Sequence, residues 1–333
     1  MIVTTRRGEG NLHAPRAPIG YTGAMRSHPE QQALPATVGQ ALAYAAEALE
    51  TSGACFGHGT DNAWDEAVQL VLAVAGLPVD ADDSVLPLAL DEPEVARLQA
   101  LLRRRTDERV PLPYLLGRAW FAGLEFHCDE RAIIPRSPIA ELILNDFQPW
   151  YAGPSPRRVL DLCCGGGCIG LAVAHYFPGA TVDLADIDTD ALELAAENVA
   201  ALGLADRVRL IRSDLFSAIP PRRYDLILSN PPYVDAADLA AMPAEYHHEP
   251  ERALGSGPDG LDLTRRILRE AADFLADAGL LVVEVGNSAS ALEHFFPRVP
   301  FTWLEFEQGG HGVFALTAQE MQEYRASLRG QAV

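Results

Sequence analysis

Ser229, Asn230, Pro231, Pro232 and Tyr233 form the run in this 333-residue chain whose types and order point most directly to chemistry. An apolar run, Leu226, Ile227 and Leu228, comes just before it. A buried strand therefore delivers Asn230 to a sheet edge, where two prolines hold the backbone. Such a site suits a nitrogen that is a poor nucleophile. In an amide or an aromatic amine the lone pair is delocalised, and positive charge builds on the nitrogen as it bonds to an electrophilic carbon. Two acceptors, the Asn230 side-chain oxygen and the Pro231 carbonyl, can each hold one N–H and aim the lone pair. Tyr233 adds a flat surface on which a planar amide or base can lie. The proton can leave after transfer, so this chemistry asks for no metal, no nucleophilic cysteine and no strong general base. An Asn-Pro turn in a loop shares the composition, but not the strand before it and the tyrosine after it.

A second constellation begins at Asp161 and runs through Leu162, Cys163, Cys164, Gly165, Gly166, Gly167, Cys168 and Ile169 to Gly170. Three consecutive glycines between a strand and a helix let the backbone approach a ligand closely at the carboxyl end of a sheet. By itself the run also fits a tight strand-to-helix turn. Asp186, about 20 residues further on at the end of the next strand, is placed to accept both hydroxyls of a ribose. Asp188 and Asp190 are neighbouring carboxylates, and Asp190, ahead of Ala191, is the expected helix N-cap. At the end of the third strand, Asp214 can accept from an adenine amino group, with Leu215 and Phe216 packing on the ring; a turn aspartate is the plainer alternative. These features serve a nicotinamide enzyme and a methyltransferase alike. Asn230 to Tyr233 decide for methyl transfer from a sulfonium.

The elements that must position these residues follow from periodicity. Strands are expected at Val159–Leu162, Thr181–Ala185, Val208–Ile211, Tyr224–Ser229, Leu280–Val285, Thr302–Phe306 and Val313–Leu316. Helical segments at Ile169–Tyr176, Asp190–Leu202 and Leu263–Leu275 alternate with them, which implies a mostly parallel, doubly wound α/β sheet. The last two strands are joined by Gln308–Gly312, too short for a helical crossover, so they should pair antiparallel. That arrangement resembles the seven-stranded sheet of Rossmann-like class I methyltransferases. Upstream, residues 1–35 lack apolar periodicity and read as a disordered leader, with Met25 an alternative start. Residues 36–118 read as a small helical domain for substrate recognition, with Leu42, Ala45, Ala46 and Leu49 on one face, Trp64, Ala67, Val68, Val71 and Leu72 on another, and Leu98, Leu101 and Leu102 on a third. Residues 119–135 suit a hairpin linker, and 136–333 the methyltransferase domain, which opens with a helix at about Ile139–Phe147.

Composition narrows the partners. Against 26 Lys and Arg stand 46 Asp and Glu, a formal charge of −20, which opposes a nucleic-acid substrate and fits a basic protein, although acidity that merely keeps the chain in solution accounts for it equally well. No apolar run reaches the roughly 18 residues of a membrane span, so the chain reads as cytoplasmic. Five cysteines without disulfide or zinc spacing read as reduced thiols. His247, His248 and Glu249 lack metal-ligand spacing, and no metal is expected. Arg103, Arg104 and Arg105 read as a solvated helix end.

Asn230 to Tyr233, with the loop from Asp161 to Gly170, resemble the amino-group methyltransferases that act on adenine, guanine or glutamine nitrogen. From about residue 37 on, the helical domain, the hairpin ending in Ile134, Pro135 and Arg136, and Glu249-Pro250 followed by Gly257, Asp259, Gly260 and Leu261 resemble the protein-glutamine methyltransferases. Within them, Pro135 to Leu142 and Asp161-Leu162-Cys163 are similar to the PrmB type, which modifies large-subunit ribosomal protein L-three. Release-factor-modifying relatives carry Pro-Arg-Pro at that place. The resemblance implies S-adenosylmethionine held by Asp161, Cys163, Cys164, Gly165, Gly166, Gly167, Asp186, Asp214, Leu215, Phe216 and Asn230. It implies catalysis by Asn230, Pro231, Pro232 and Tyr233, with Arg136 and Glu249 joining Asn230, Pro231 and Tyr233 at the substrate; Glu249 would shape the loop over the glutamine, and Arg136 fits a contact to the substrate backbone, to the Asn230 loop or a structural ion pair equally well. The implied partner is ribosomal protein L-three, met free or on a ribosome precursor. Cys164 stands where relatives usually have Thr; it reads as a small packed thiol, and the loop backbone keeps its contacts. Competing functions are a release-factor glutamine methyltransferase, a nucleic-acid amino methyltransferase, which should bring a basic face, a nicotinamide oxidoreductase using the glycine loop, and a non-catalytic assembly factor.

Overall fold

A computed structural model describes residues 34–330. The expected leader, apart from Leu34 and Pro35, lies outside the described residues, as does Met25. The chain divides into two compact units: the residues up to Gly53 with Asn62–Asp107, and Ala54–Asp61 with the chain from Glu108 onward.

The first unit holds α1 (Val38–Ser52), α2 (Ala63–Val74) and α3 (Glu92–Thr106). Each helix begins on a capping side chain: Thr37 accepts from the Gln40 N–H, Asn62 from that of Asp65, and Asp91 from that of Glu94 in a reciprocal capping box. Caps of this kind contribute about 1 kcal/mol each. The apolar periodicity is the buried face: Leu42, Ala45 and Leu49, then Ala67, Val71 and Leu72, then Leu98 and Leu102. Arg105 departs from the expected solvated helix end. Its guanidinium is buried, and Nε donates to Glu66 Oε1 at 2.5 Å. A buried charge is tolerated only when paired, and the pairing carboxylate comes from another helix.

The second unit opens with α4 (Leu112–Leu116) and an antiparallel hairpin of β1 (Arg118–Phe121) and β2 (Leu124–His127), followed by α5 (Ile139–Leu144). A seven-stranded sheet then alternates with helices: β3 (Arg158–Leu162), α6 (Cys168–Tyr176), β4 (Thr181–Asp186), α7 (Thr189–Ala201), β5 (Val208–Arg212) and β6 (Tyr224–Ser229). The chain continues through α8 (Ala236–Ala241), α9 (Asp262–Glu270), β7 (Leu275–Glu284), α10 (Ala289–Phe295), β8 (Thr302–Trp303), β9 (Val313–Thr317), α11 (Ala318–Glu323) and α12 (Arg325–Gly330). The strand order is β5-β4-β3-β6-β7-β9-β8, and β9 alone runs against its neighbours.

Successive strand residues enter opposite cores, which is why the strands read as continuous apolar runs. Val159, Leu226, Leu228 and Val282 pack with α5, α6 and α7, while Leu160, Ile227, Leu281 and Val283 pack with α9, α10 and α11. Several boundaries differ from expectation: α5 ends at Leu144 and β8 at Trp303, both short of the expected Phe147 and Phe306, and two further differences have a visible cause. The helix expected to reach Leu275 ends at Glu270, and β7 starts at Leu275. The Tyr224 N–H bonds to the Phe274 carbonyl and Leu275 pairs with Tyr224, so sheet pairing captures a backbone that side-chain periodicity alone assigns to helix. The α7 N-cap is Asp188, which accepts from the Asp190 N–H, two residues ahead of the expected cap. No helix among the described residues is long and apolar enough to cross a membrane.

Candidate active site

The strand order reverses at β3, whose two neighbours are β4 and β6. In such sheets a crevice opens beyond the carboxyl ends of the central strands. Leu162 pairs with Ser229, so Cys163 and Asn230 leave the sheet side by side. Ser229 Oγ donates to the Leu162 carbonyl at 2.8 Å and locks that register. Cys163 takes a left-handed φ of 56°, and Gly167, at 84°, turns the chain into α6. Asp161 works from behind the loop: it is buried, and Oδ2 accepts from the Gly170 N–H at 2.8 Å. Burial pushes its carboxyl up to about 7 despite that bond.

A cavity of about 260 Å³ occupies the crevice. Cys163, Gly165, Asp186 and Asp214 border it, with Leu215, Asn230 and Pro232. Asp186 is tied to the loop, Oδ2 accepting from the Gly165 N–H and Oδ1 from the Asp188 N–H, each at 2.9 Å. Burial raises its carboxyl and these N–H donors pull it back. Other expected cofactor residues stand behind the wall. Cys164 is a buried thiol, pushed up by burial. A Cβ added at Gly166 would meet Leu194 and Asn198, and one at Gly167 would meet Leu184. Phe216 is stacked on Phe274 in the core, at 4.6 Å between ring centroids, rather than in the cavity wall.

The cavity also has walls that the sequence did not single out. Arg131, Ala132 and Ile133 enter it from the chain after β2, and Arg266 of α9 pairs with Asp214 at 2.9 Å. Asn198 of α7 fastens the hairpin to the loop: its side chain bonds both N–H and C=O of His127 and donates to the Gly166 carbonyl at 3.0 Å.

On the far side of Asn230 lies a dense polar network. Asn230 Nδ2 donates to the Arg136 carbonyl at 3.4 Å. The Arg136 guanidinium forks onto Glu249, with Nη2 to Oε2 at 2.7 Å, and lies 5.5 Å from the Tyr246 ring centre. Burial pushes the Glu249 carboxyl up, but the His58 imidazole and the Arg136 fork outweigh it and hold it at about 2. Arg136 and Glu249, expected at the substrate, are thus committed to each other.

Tyr233 donates from its hydroxyl to Glu284 Oε1 at 2.9 Å, and Ser137 Oγ donates to Oε2 at 2.6 Å. Burial raises the Glu284 carboxyl, and these two donors offset part of that. Gly286, at a φ of 45°, lies under the Tyr233 ring, where an added Cβ would meet Cε2 at 2.6 Å. Pro231, between Asn230 and Pro232, is buried. Glu284 was missed in the sequence, although a lone carboxylate in the apolar run Val282 to Val285 signals a paired group.

The sheet, the crevice and the Asn-Pro-Pro-Tyr run at the end of β6 together define a class I methyltransferase. The family model described as methyltransferase small domain matches residues 140–249. A ribosomal protein uL3 glutamine methyltransferase of Xylella fastidiosa is 50% identical over 86% of this chain and 91% of its own. One from Francisella tularensis is 46% identical over 88% and 94%, respectively. This chain belongs to the ribosomal protein uL3 glutamine methyltransferase family. Among solved structures, human methyltransferase 10 domain containing protein aligns at a TM-score of 0.43 and 20% identity, covering 68% of this chain and 95% of that one.

Proposed function

We propose that this protein methylates the side-chain amide nitrogen of a glutamine in ribosomal protein uL3, in the cytoplasm, with S-adenosylmethionine as donor. The observation that carries the reading is the placement of Asn230 at the mouth of the crevice, with Nδ2 turned to the Arg136 carbonyl. That leaves Oδ1 as the free end of the side chain, and an oxygen is what a methyl-accepting N–H requires.

The cavity suits the donor. Its volume of about 260 Å³ is near the lower end of the range for small-molecule sites, roughly 300–1,000 Å³. Asp186 keeps acceptor capacity beyond its two backbone bonds for ribose hydroxyls, and Asp214 and Leu215 stand where an adenine would lie. Asp161 Oδ1 has no hydrogen-bond partner among the described residues. When bound, S-adenosylmethionine supplies a methyl group on a positively charged sulfur. Asn230 Oδ1 and the Pro231 carbonyl each accept one N–H of the glutamine amide and meet the charge that builds there with fixed dipoles. Tyr233, held by Glu284 and Gly286, gives the planar amide a surface to lie on.

The helical part, 36–118, is assigned to substrate recognition. The −20 charge supports a basic ribosomal protein over RNA, met free or on a ribosome precursor. Purified enzyme with labelled S-adenosylmethionine should label uL3 on a glutamine, located by mass spectrometry. Label that appears only in a release factor or in RNA rejects the assignment.

A further inference from the structure

We infer that Arg136, Glu249 and His58 act together as a positioning group that sets which end of the Asn230 amide faces the substrate. The inference rests on the proposed role of Asn230 and extends it to Arg136 and Glu249, and to His58, which the sequence did not single out.

An amide side chain has two ends of similar shape and opposite chemistry: an oxygen that accepts and a nitrogen that donates. A flipped Asn230 would point a donor at another donor and could not hold the reacting N–H. The Arg136 carbonyl can only accept, so it selects Nδ2 and leaves Oδ1 outward. At 3.4 Å that bond is long and weak, as catalytic bonds often are before substrate arrives. The orientation therefore depends on how firmly the Arg136 peptide is held.

Glu249 holds it at two points. Oε1 accepts from the Ile134 N–H at 2.9 Å and the same carboxylate takes the Arg136 fork, so one group clamps the backbone before Arg136 and the side chain of Arg136 itself. Arg136 Nη1 also reaches back to the Ile134 carbonyl at 3.4 Å. The carboxylate has no solvent exposure and belongs to a residue 113 positions away in sequence.

His58 braces the clamp from behind. It arrives on the Ala54–Asp61 segment, which is fastened to the same stretch by the Cys55 N–H donating to Glu245 Oε1 at 2.8 Å. Its ring packs on Tyr246 at 4.4 Å, and Nε2 stands 3.7 Å from Glu249 Oε2, too far for a hydrogen bond but close for an electrostatic contact. The side chain is 5% exposed, and neither ring nitrogen has a hydrogen-bond partner among the described residues. An apolar residue would fill that space without burying two unpaired nitrogens. What the imidazole adds is polarity beside Glu249, next to the same Oε2 that takes Nη2 of Arg136.

The test uses the whole protein carrying His58→Ala or Arg136→Lys; the first removes no hydrogen bond, and the second keeps the charge but loses the fork. The chain has six asparagines, so selective ¹⁵N labelling with an Asn230→Asp reference assigns the Asn230 side-chain amide signal. Both variants should move that signal. With uL3 as substrate they should lower kcat by about 10- to 100-fold while KM and S-adenosylhomocysteine affinity stay within about twofold. An unmoved Asn230 signal in either folded variant overturns the inference, as does a raised KM with intact kcat, which would make Arg136 a direct substrate ligand. If Arg136→Lys does not fold, His58→Ala decides. If the wild-type protein labels no glutamine, the proposed function fails, while the amide signal still judges the positioning group.

Discussion

On the cavity side of Asn230 the wall is largely backbone, small side chains and apolar surface, with Asp186 bound to two N–H groups and still able to accept more. On the other side, Glu249 and Glu284 are buried outside the cavity wall and bound to Arg136, Ile134, Tyr233 and Ser137 before any substrate arrives. The contrast follows from what each side must do. A small donor that exchanges every turnover is held by groups with spare hydrogen-bonding capacity. A weak nucleophile must instead be oriented, and orientation comes from a network whose members cannot move independently.

Removing one partner from the buried network should have the largest effect. Arg136→Ala leaves the Glu249 carboxylate buried without its fork, which costs about 3–5 kcal/mol of stability; a urea midpoint within experimental error of wild type would break the comparison. Asn230→Ala should lower turnover by about 10²–10³-fold, the loss seen when one preorganised polar group is removed from a developing charge. Its thermal stability should change little, and unchanged turnover would remove Asn230 from the mechanism.

The acid limb of stability sharpens the same contrast. The Glu249 carboxyl is held at about 2 in the folded protein, against about 4.3 when unfolded. A depressed carboxylate stabilises above its unfolded value, and the contribution disappears as pH falls through the folded one. Wild type should therefore lose stability between about pH 4 and 2 more steeply than Glu249→Gln, measured as urea midpoints across that window.

On the cavity side, Asp186→Ala should weaken S-adenosylhomocysteine binding by about 10- to 100-fold, the scale of one or two charge-assisted hydrogen bonds; calorimetry reads it, and unchanged affinity would put the ribose elsewhere. Cys163→Gly should matter least. Relief of the left-handed φ and loss of a partly buried thiol offset each other to within about 1 kcal/mol, checked by thermal melts.

Local signals carried much of the fold. Val159–Leu162 and Tyr224–Ser229 announce strands because short, nearly continuous apolar runs suit strands buried on both faces, and the antiparallel end was implied by a connection too short to cross over. Helix boundaries were less legible: the backbone near Leu275 follows Tyr224, a partner about fifty residues back, which no local window contains.

That an Asn-Pro-Pro-Tyr run ends a buried strand beside a glycine loop is written in the chain itself, because apolar runs, proline rigidity and glycine freedom act over a few residues. Which carboxylate serves which role is settled by folding. Asp186 enters the cavity wall, Asp161 stays behind the loop, Asp188 caps a helix, Glu249 clamps Arg136 and Glu284 holds Tyr233. Along the chain these acids are chemically alike, and what separates them is burial and the donor that folding brings within about 3 Å.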